Sequence, residues 1–435
     1  MKPPTNNTPP QGYKMTELGA LPEEWEVVRL ANLIEEVKEK NKDNEKLKVY
    51  TVSNIFGFIL SDLFFDKKVY SKELTNYKII KENYFAYNPY RINVGSIGLF
   101  KDYIGLVSPA YIVFKIKKIH ELNPNYFFLL LKSSYYTSEI KRMAMSRGSI
   151  RRSLSFKDLS YFLIPLPPLP EQQKIAAVLS AVQGAKEKTE ALIAAAKALK
   201  KSMMKHLFTY GPVSPEETET VLLKETEIGP VPKDWEVVRL GEVGEFQYGY
   251  TETASSKKIG PKFLRITDID LTGSKIKWAD VPYCKISDKD YLKYKLIDED
   301  ILFTRIGATT GKTCIVKSPP ESVFASYLIR FKVDLEKALP FFIYHFTTNK
   351  GYWNQINASK EGKLKKGVSS SQLKIFQIPL PPLPIQQKIA SILSAIDAKI
   401  EAEENKKKAL EELFKSLLHN LMTAKIRVNK LEVSS

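Results

Sequence analysis

Basic and small polar residues cluster at matching places in the two halves of this sequence, and they set the chemistry open to it. The first half carries Arg91 and Asn93 in YNPYRINVGSIG, then Arg147, Ser149, Arg151 and Arg152. The second carries Arg305, Thr309, Thr310 and Lys312 in TRIGATTGKT, then Lys363, Lys365 and Lys366, followed by Ser369, Ser370 and Ser371. Guanidinium, ammonium, hydroxyl and amide groups on loops are what contact with phosphates and base edges requires. The total charge points the same way. Sixty-six Lys and Arg against 49 Asp and Glu leave +17, with an isoelectric point near 9.4, which favours a polyanion, nucleic acid before an acidic membrane surface. A lysine-rich solvated surface would explain the charge but not its recurrence at corresponding points.

Other chemistries find little footing. GATTGKT at 307–313 falls one residue short of a phosphate-cradling loop, because Ile306 stands where the first glycine is needed. As a Gly/Thr/Lys loop between two strands it suits contact with a phosphate backbone better. SPAY at 108–111 and NPY at 88–90 come near an amino-methyltransferase motif, but both lack its second proline; in SPAY, Ala110 takes that place. No glycine-rich loop for S-adenosylmethionine follows a strand. Four histidines and two cysteines, Cys284 and Cys314, give neither zinc spacing nor a disulfide framework. The cysteines read as small core or surface residues. No apolar run approaches the length of a membrane span and no secretory leader is evident. The expectation is a cytoplasmic, non-catalytic chain without a metal of its own.

Two repeated phrases show how these loops are positioned. IPLPPLPEQQKIAAVLSAV at 164–182 returns as IPLPPLPIQQKIASILSAI at 378–396, with 15 of 19 positions identical. The prolines make a stiff lead-in, and Pro170 and Pro384 stand at the start of a helix. Apolar residues then recur at helical spacing. In the first copy the stripe runs through Ile175, Val178, Val182, Ala185, Leu192, Ala196, Leu199 and Met203, widened by Leu179, Ile193 and Leu207. In the second it runs from Ile389 to Ile400, then Leu410, Leu413, Leu417 and Leu421, interrupted by EAEENKKK at 401–408, which reads as a solvated face. Helices are expected over 171–208 and 385–423, the first roughly 57 Å long. Such helices do not stand alone in water, so they are expected to pack on each other.

The second phrase, TELGALPEEWEVVRL at 16–30, returns as TEIGPVPKDWEVVRL at 226–240 with ten of 15 positions shared. Trp25 and Trp235 supply large anchors, and EVVRL reads as a short strand or helix entry. The repeat is too long for a solenoid unit, so a whole domain with its helix has been duplicated. Between the phrases lie mixed α and β segments rich in β-branched and aromatic residues, with a helix expected over 124–146. Tyr111 and Tyr327 sit at equivalent points of the paired strands SPAYIVF and FASYLIRF and read as core or strand-pairing residues. The expected division is a disordered arm at 1–15, a first head at 16–163, lead-in and helix at 164–211, a linker at 212–225, a second head at 226–377, lead-in and helix at 378–425, and a tail at 426–435. Two unlike heads on one duplicated frame, held apart by a helical rod, should meet two unlike targets.

A globular segment, IPLPPLPEQQKI, a long helix, and the same again resembles the specificity subunit of type I restriction-modification enzymes. The resemblance covers 16–423, and the first copy departs only in having Gln183 where the second has Asp397. It implies an α+β fold in which two mixed α/β target-recognition domains are separated by two long antiparallel helices, a coiled-coil rod with an internal pseudo-twofold repeat. It implies that each head reads one half of a split, asymmetric site in double-stranded DNA, and that the helices set the spacer. It further implies docking of two methyltransferase subunits, with restriction subunits joining through that complex. S-adenosylmethionine, ATP and Mg2+ would then belong to the partners and not to this chain. Gln172, Gln173, Ile175, Leu179 and Val182, with Gln386, Gln387, Ile389, Leu393 and Ile396, are the expected subunit and helix interface. The readings from other classes are a coiled-coil scaffold that does not read DNA and a self-contained DNA modification enzyme.

Overall fold

The EVVR and proline phrases, repeated far apart in sequence, form their strands by pairing with each other. Glu26–Arg29 runs antiparallel to Leu163–Leu166 with Val28 opposite Ile164, and Glu236–Arg239 runs antiparallel to Gln377–Leu380 with Val238 opposite Ile378. Each globular segment is therefore closed by its own first and last residues. The computed structural model describes residues 9–53, 57–64, 70–92, 95–145, 153–270, 275–360 and 367–428. Two units emerge, residues 1–189 with 406–435 and residues 190–405. The division falls inside both long helices, Leu169–Tyr210 and Leu383–Met422.

In the first unit, one antiparallel sheet has the strand order Ile34–Val37, Ile112–Ile116, Phe85–Tyr87, Ile97–Leu99. The second unit repeats that order with Gly244–Tyr248, Leu328–Val333, Ile301–Thr304 and Thr313–Ile315. One face of each sheet covers the main core, which holds Phe85, Tyr87, Phe114 and Trp25 in the first unit and Phe303, Phe331, Tyr352 and Trp235 in the second. The opposite face covers a smaller core around Tyr50 and Phe100, or around Leu302 and Phe324. The helix expected over 124–146 is two helices, Pro124–Lys132 and Ser134–Met145, because Ser133 between them is extended.

Both long helices leave their heads in the same way. Pro170 and Pro384 are each the second residue of the helix, where a missing N–H costs nothing. Two residues on, the Gln172 amide is fully buried. It accepts the Asn123 N–H at 2.9 Å and donates to the Glu121 and Pro167 carbonyls, both at 2.8 Å. Gln386 repeats the arrangement with Leu339, Lys337 and Pro381 at 2.9, 3.1 and 2.8 Å. These two glutamines therefore lock helix to head and leave no polar group to offer a partner. Gln173 and Gln387 are exposed, and Gln387 bonds only Ser391 one turn on.

Within each unit the helical segments run antiparallel. Lys186 meets Glu411 in the first unit, and Lys197 and Lys200 meet Glu404 and Asp397 in the second, so rising numbers on one helix face falling numbers on the other. Ile175 and Leu179 enter the first unit's core, Ile389 and Leu393 the second's, and Val182 and Ile396 are half-buried. The stripe itself needs correcting. Leu192 and Leu199 are half exposed at 50% and 52%, and Leu413 is exposed at 45%, whereas Thr189, Ile193, Met204 and Leu207 are buried. The 3.6-residue period carries the buried line from Leu179 through Ile193 to Met204 and Leu207, one position away from the expected track. EAEENKKK is not uniformly solvated either. Glu403 is buried beside Lys399, and Glu401 pairs with Lys275 of the second head.

In the first unit, the segment after the second long helix folds onto the Trp25 phrase. Arg427 donates Nε and Nη2 to the buried Glu171 carboxylate at 2.7 and 2.9 Å and reaches Glu24 at 2.6 Å. Trp25 Nε1 donates to the same carboxylate at 2.9 Å, and the Tyr13 hydroxyl donates to the Ala424 carbonyl at 2.8 Å.

Replacing Gln172 by Leu leaves one N–H and two carbonyls buried without partners and is expected to cost about 3 kcal/mol, while Gln173→Leu stays within about 0.5 kcal/mol. Thermal unfolding of the two variants checks this. Ending the chain after Met422 strips Glu171 of its guanidinium. Amide exchange in strands 26–29 and 163–166 should then accelerate roughly 100-fold or more, with strands 236–239 and 377–380 unchanged.

Candidate nucleic-acid interface

In the second unit all four residues of the Ile301–Thr304 strand are buried, and the chain reaches the surface at Arg305. Alternation places Arg305 on the same face as Phe303, two residues back in the core. Its backbone is held on both sides. The Arg305 N–H donates to the Tyr327 carbonyl at 3.1 Å, and the Arg305 carbonyl accepts the Val368 N–H at 2.9 Å. Its guanidinium lies 4.8 Å from the centre of the Tyr248 ring. The Tyr248 hydroxyl in turn accepts the Ser370 N–H at 3.0 Å. Burial alone would raise the pKa of that phenol, but the bond from Ser370 and the Arg305 charge hold it below its ordinary value.

The loop from Arg305 to Lys312 is a hairpin between the antiparallel strands Ile301–Thr304 and Thr313–Ile315, with no helix opening after it. That geometry does not fit a nucleotide phosphate loop. Gly307 and Gly311 turn it at φ of +83° and +89°. At Gly311 a Cβ would also lie 2.8 Å from Ile356, so a side chain is excluded there. Its carbonyls are tied inward. Thr304 Oγ1 donates to Thr309, Thr310 Oγ1 to Gly307 at 2.8 Å, Tyr352 to Gly311 at 2.7 Å, and Lys360 to Thr310 at 2.9 Å. What remains outward is Arg305, Ile306, Ala308, Thr309 and Lys312, with Tyr327 56% exposed beside them.

The expected contact residues divide on this geometry. Arg305, Thr309 and Lys312 come together on one loop. Thr310 is buried and spends its hydroxyl inside the loop, so it shapes the loop and does not face a ligand. Ser369 caps the short Ser370–Lys374 helix, its hydroxyl engaged with Gln372. Ser370 acts through its backbone on Tyr248, and Ser371 is exposed. Arg91 is exposed in a turn of the first unit, where its N–H donates to the Asn88 carbonyl at 3.0 Å. Asn93, Arg147, Ser149, Arg151, Arg152, Lys363, Lys365 and Lys366 lie outside the described residues.

The first unit builds its loop from other residues. Gly95 turns at φ +84°, and Lys132 donates to the Gly95 carbonyl at 2.6 Å. Burial pulls the Lys132 ammonium down to about 8. Leu154 donates to the Pro89 carbonyl at 3.1 Å, as Val368 does to Arg305. Leu154 and Val368 both directly precede the helix caps Ser155 and Ser369, so Pro89 is the counterpart of Arg305. Strand register completes the comparison. Ile112 pairs with Tyr87 as Ile329 pairs with Phe303, which sets Ala110 against Tyr327. The edge strands set Lys38 against Tyr248. Where one unit presents Tyr248, Arg305 and Tyr327, the other presents Lys38, Pro89 and Ala110.

Tyr111 is therefore not the equivalent of Tyr327. It is one residue out of register and faces the smaller core, 8% exposed, its hydroxyl 2.9 Å from Thr51 Oγ1. A shift of one residue moves a strand side chain to the opposite face. Tyr248 and Tyr327 were not singled out by the sequence as contact residues, since a tyrosine ending a strand reads the same whether it faces core or solvent.

No cluster of three His, Cys, Asp or Glu among the described residues is arranged to hold a metal ion. No described helix is long and apolar enough to cross a membrane. Cys284 and Cys314 are both buried, and burial raises their thiols to about 11 and about 12.

Comparison with known proteins places this architecture. The type I restriction modification DNA specificity domain matches the chain twice, over residues 22–198 and 232–412. The MjaVIII type I restriction enzyme specificity subunit of Methanocaldococcus jannaschii is 30% identical over 94% of this chain and 95% of its own length. The specificity subunit assigned to the MjaX type I restriction enzyme of the same organism is 29% identical over 96% and 97%. The crystal structure of the type I restriction-modification system S subunit from M. genitalium shares the fold, with a TM-score of 0.60 at 14% identity over 91% of this chain and 96% of that one. With the family domain present twice and relatives aligned along nearly its whole length, the chain belongs to the type I restriction-modification DNA specificity subunits and carries two target-recognition domains.

Proposed function

We propose that each unit reads one half of a bipartite, asymmetric site in double-stranded DNA, through the loop at the open end of its main sheet. The observation that carries this reading is the contrast between the two rims. Frame, strand order and loop anchors are the same in both units, yet Lys38, Pro89 and Ala110 stand where the other presents Tyr248, Arg305 and Tyr327. A duplicated scaffold with unlike chemistry at one place suits two unlike half-sites. Planar donors and aromatic faces on short, tied loops suit base edges, and the net charge of +17 suits the phosphates around them.

In this reading the chain itself is non-catalytic and acts in the cytoplasm. It delivers two methyltransferase subunits to the site, and restriction subunits join through that complex. S-adenosylmethionine, ATP and Mg2+ act on those partners; the incomplete methyltransferase motifs at 88–90 and 108–111 and the shortened phosphate loop at 307–313 favour this. The repeated helix starts offer the same exposed glutamine twice, Gln173 in one copy and Gln387 in the other, which suits two identical partners. The long helices, 42 and 40 residues, set the length of the unread spacer.

Co-expression with its methyltransferase, followed by single-molecule mapping of modified bases, tests the reading. The expected result is a two-part motif with an unspecified gap that appears only when this chain is present; methylation at an uninterrupted site refutes it. Deleting seven residues from each long helix should change the gap and leave the bases of both half-sites as they were. A change in the half-site bases would remove the helices from the role of ruler.

A further inference from the structure

We propose that Arg305 reads a guanine from the major groove in the half-site recognised by the second unit, with Tyr248 as the residue that positions it. This rests on the DNA-reading function proposed above and adds the identity of one base and the side chain that selects it.

Arginine is the residue whose planar fork matches the O6 and N7 acceptors of guanine, but only when the plane is held and the donors are unspent. Four of the other described arginines are committed to carboxylates, and Arg29, Arg91 and Arg239 pair with none but lack a ring contact like that of Arg305. Arg142 pairs with Glu139, Arg265 with Asp268, Arg330 with Asp300, and Arg427 with Glu171 and Glu24. Among the described residues Arg305 has no such partner, although its backbone is fixed at both N–H and carbonyl. Its guanidinium has an aromatic ring over it, 4.8 Å away at Tyr248. That ring is itself held from its far end by the Ser370 N–H. A guanidinium seated over a ring, with no carboxylate partner among the described residues, keeps its N–H donors for a ligand. A phosphate contact would gain little from this, since a mobile lysine serves it as well.

The surroundings supply the rest. Arg305 and Tyr327 form a cross-strand pair continuing the register Thr304 with Leu328, and Tyr248 lies on the other side of the Tyr327 strand. The arginine thus emerges beside two exposed tyrosines at the end of a strand that is itself buried throughout. The hairpin after it is tightened by Gly307, Gly311 and two threonine hydroxyls, so the backbone carrying Arg305 does not have to be ordered on binding. The first unit has Pro89 at the same point and offers no donor there.

The test uses the full chain in complex with its methyltransferase and compares wild type with Arg305→Ala, Arg305→Lys, Tyr248→Ala and Tyr248→Phe. The measurements are the methylated motif, binding to sites randomised one base at a time, and the salt dependence of binding. Exchanging residues 241–376 for those of another family member first identifies which half-site belongs to the second unit. In that half-site, Arg305→Ala is expected to lower preference for guanine at one position by roughly 10- to 100-fold, with every base of the other half-site unchanged. Arg305→Lys should bind DNA with nearly wild-type strength and the same salt slope, yet lose the guanine preference. Tyr248→Ala should weaken that preference most, and Tyr248→Phe, which keeps the ring but loses the Ser370 bond, should weaken it less.

An unchanged base preference in Arg305→Lys and Arg305→Ala, or uniformly weaker binding with a salt slope shallower by about one, overturns the assignment and makes Arg305 a phosphate contact or a bystander. Loss of folding in Arg305→Ala leaves the lysine and tyrosine variants to decide. If the wild-type complex shows no bipartite motif, the DNA-reading function itself fails, a result distinct from a bipartite motif that the variants do not alter.

Discussion

Each long helix is fixed to its head by one buried amide, and the remaining geometry follows from that attachment. An apolar contact tolerates sliding, because burial has no direction. Gln172 and Gln386 instead satisfy one backbone N–H and two carbonyls apiece with hydrogen bonds of defined angle. Asn123, which supplies the N–H to Gln172, also caps the next helix of its head through its side chain. The direction in which the long helix leaves is thereby coupled to the packing that supports the recognition loop. The conserved wording of the repeat has a plain cause, since only a side chain with both donor and acceptor on one short amide can complete this bridge.

The strand pairs formed by the repeated phrases make each head a closed loop in sequence. A segment of roughly 140 residues begins at EVVR and returns to the proline lead-in beside it. The loops between are free to diverge while the anchoring phrases stay fixed, because the closing strand pair is made by the phrases themselves and braced by a few residues of the segment such as Asn123, Tyr126 and Tyr136. The rims have diverged in just this way. Lysine, proline and alanine in one unit face tyrosine, arginine and tyrosine in the other, on strands of identical order. Stability resides in the anchored frame, and selectivity in a few side chains at the sheet end.

Much of this was legible in the sequence. The 15-of-19 repeat gave the duplication, the prolines and apolar spacing gave both helices almost to the residue, and the charge and the loop composition gave the class of partner. The failures have physical reasons. Leu192 and Leu199 fit a helical stripe as well as Ile193 does, and only the partner helix decides which of two adjacent tracks is buried. Aligning SPAYIVF with FASYLIRF by their tyrosines gave the wrong face, since a slip of one residue keeps the letters matched while reversing the side chains. Thr310 and Ser369 read as ligand-facing hydroxyls, yet both are used to close a turn and cap a helix, the commonest local use of such residues. Tyr248 gave no signal at all, because its role depends on a strand partner about 80 residues away.

The division of the chain inside its helices has a consequence for how the protein is made. The first head leaves the ribosome early, but residues 406–428 complete its core through Leu418, Leu421, Met422, Ala424 and Val428. The second unit needs nothing beyond residue 405. The order of completion is thus the reverse of the order of synthesis, and the first head waits with part of its apolar surface uncovered while the second finishes. A chain interrupted before residue 406 would carry a finished second head and an unfinished first one. Exposed apolar surface of that kind is what chaperones and proteases act on, so the contacts that complete the first head also distinguish a whole chain from a truncated one.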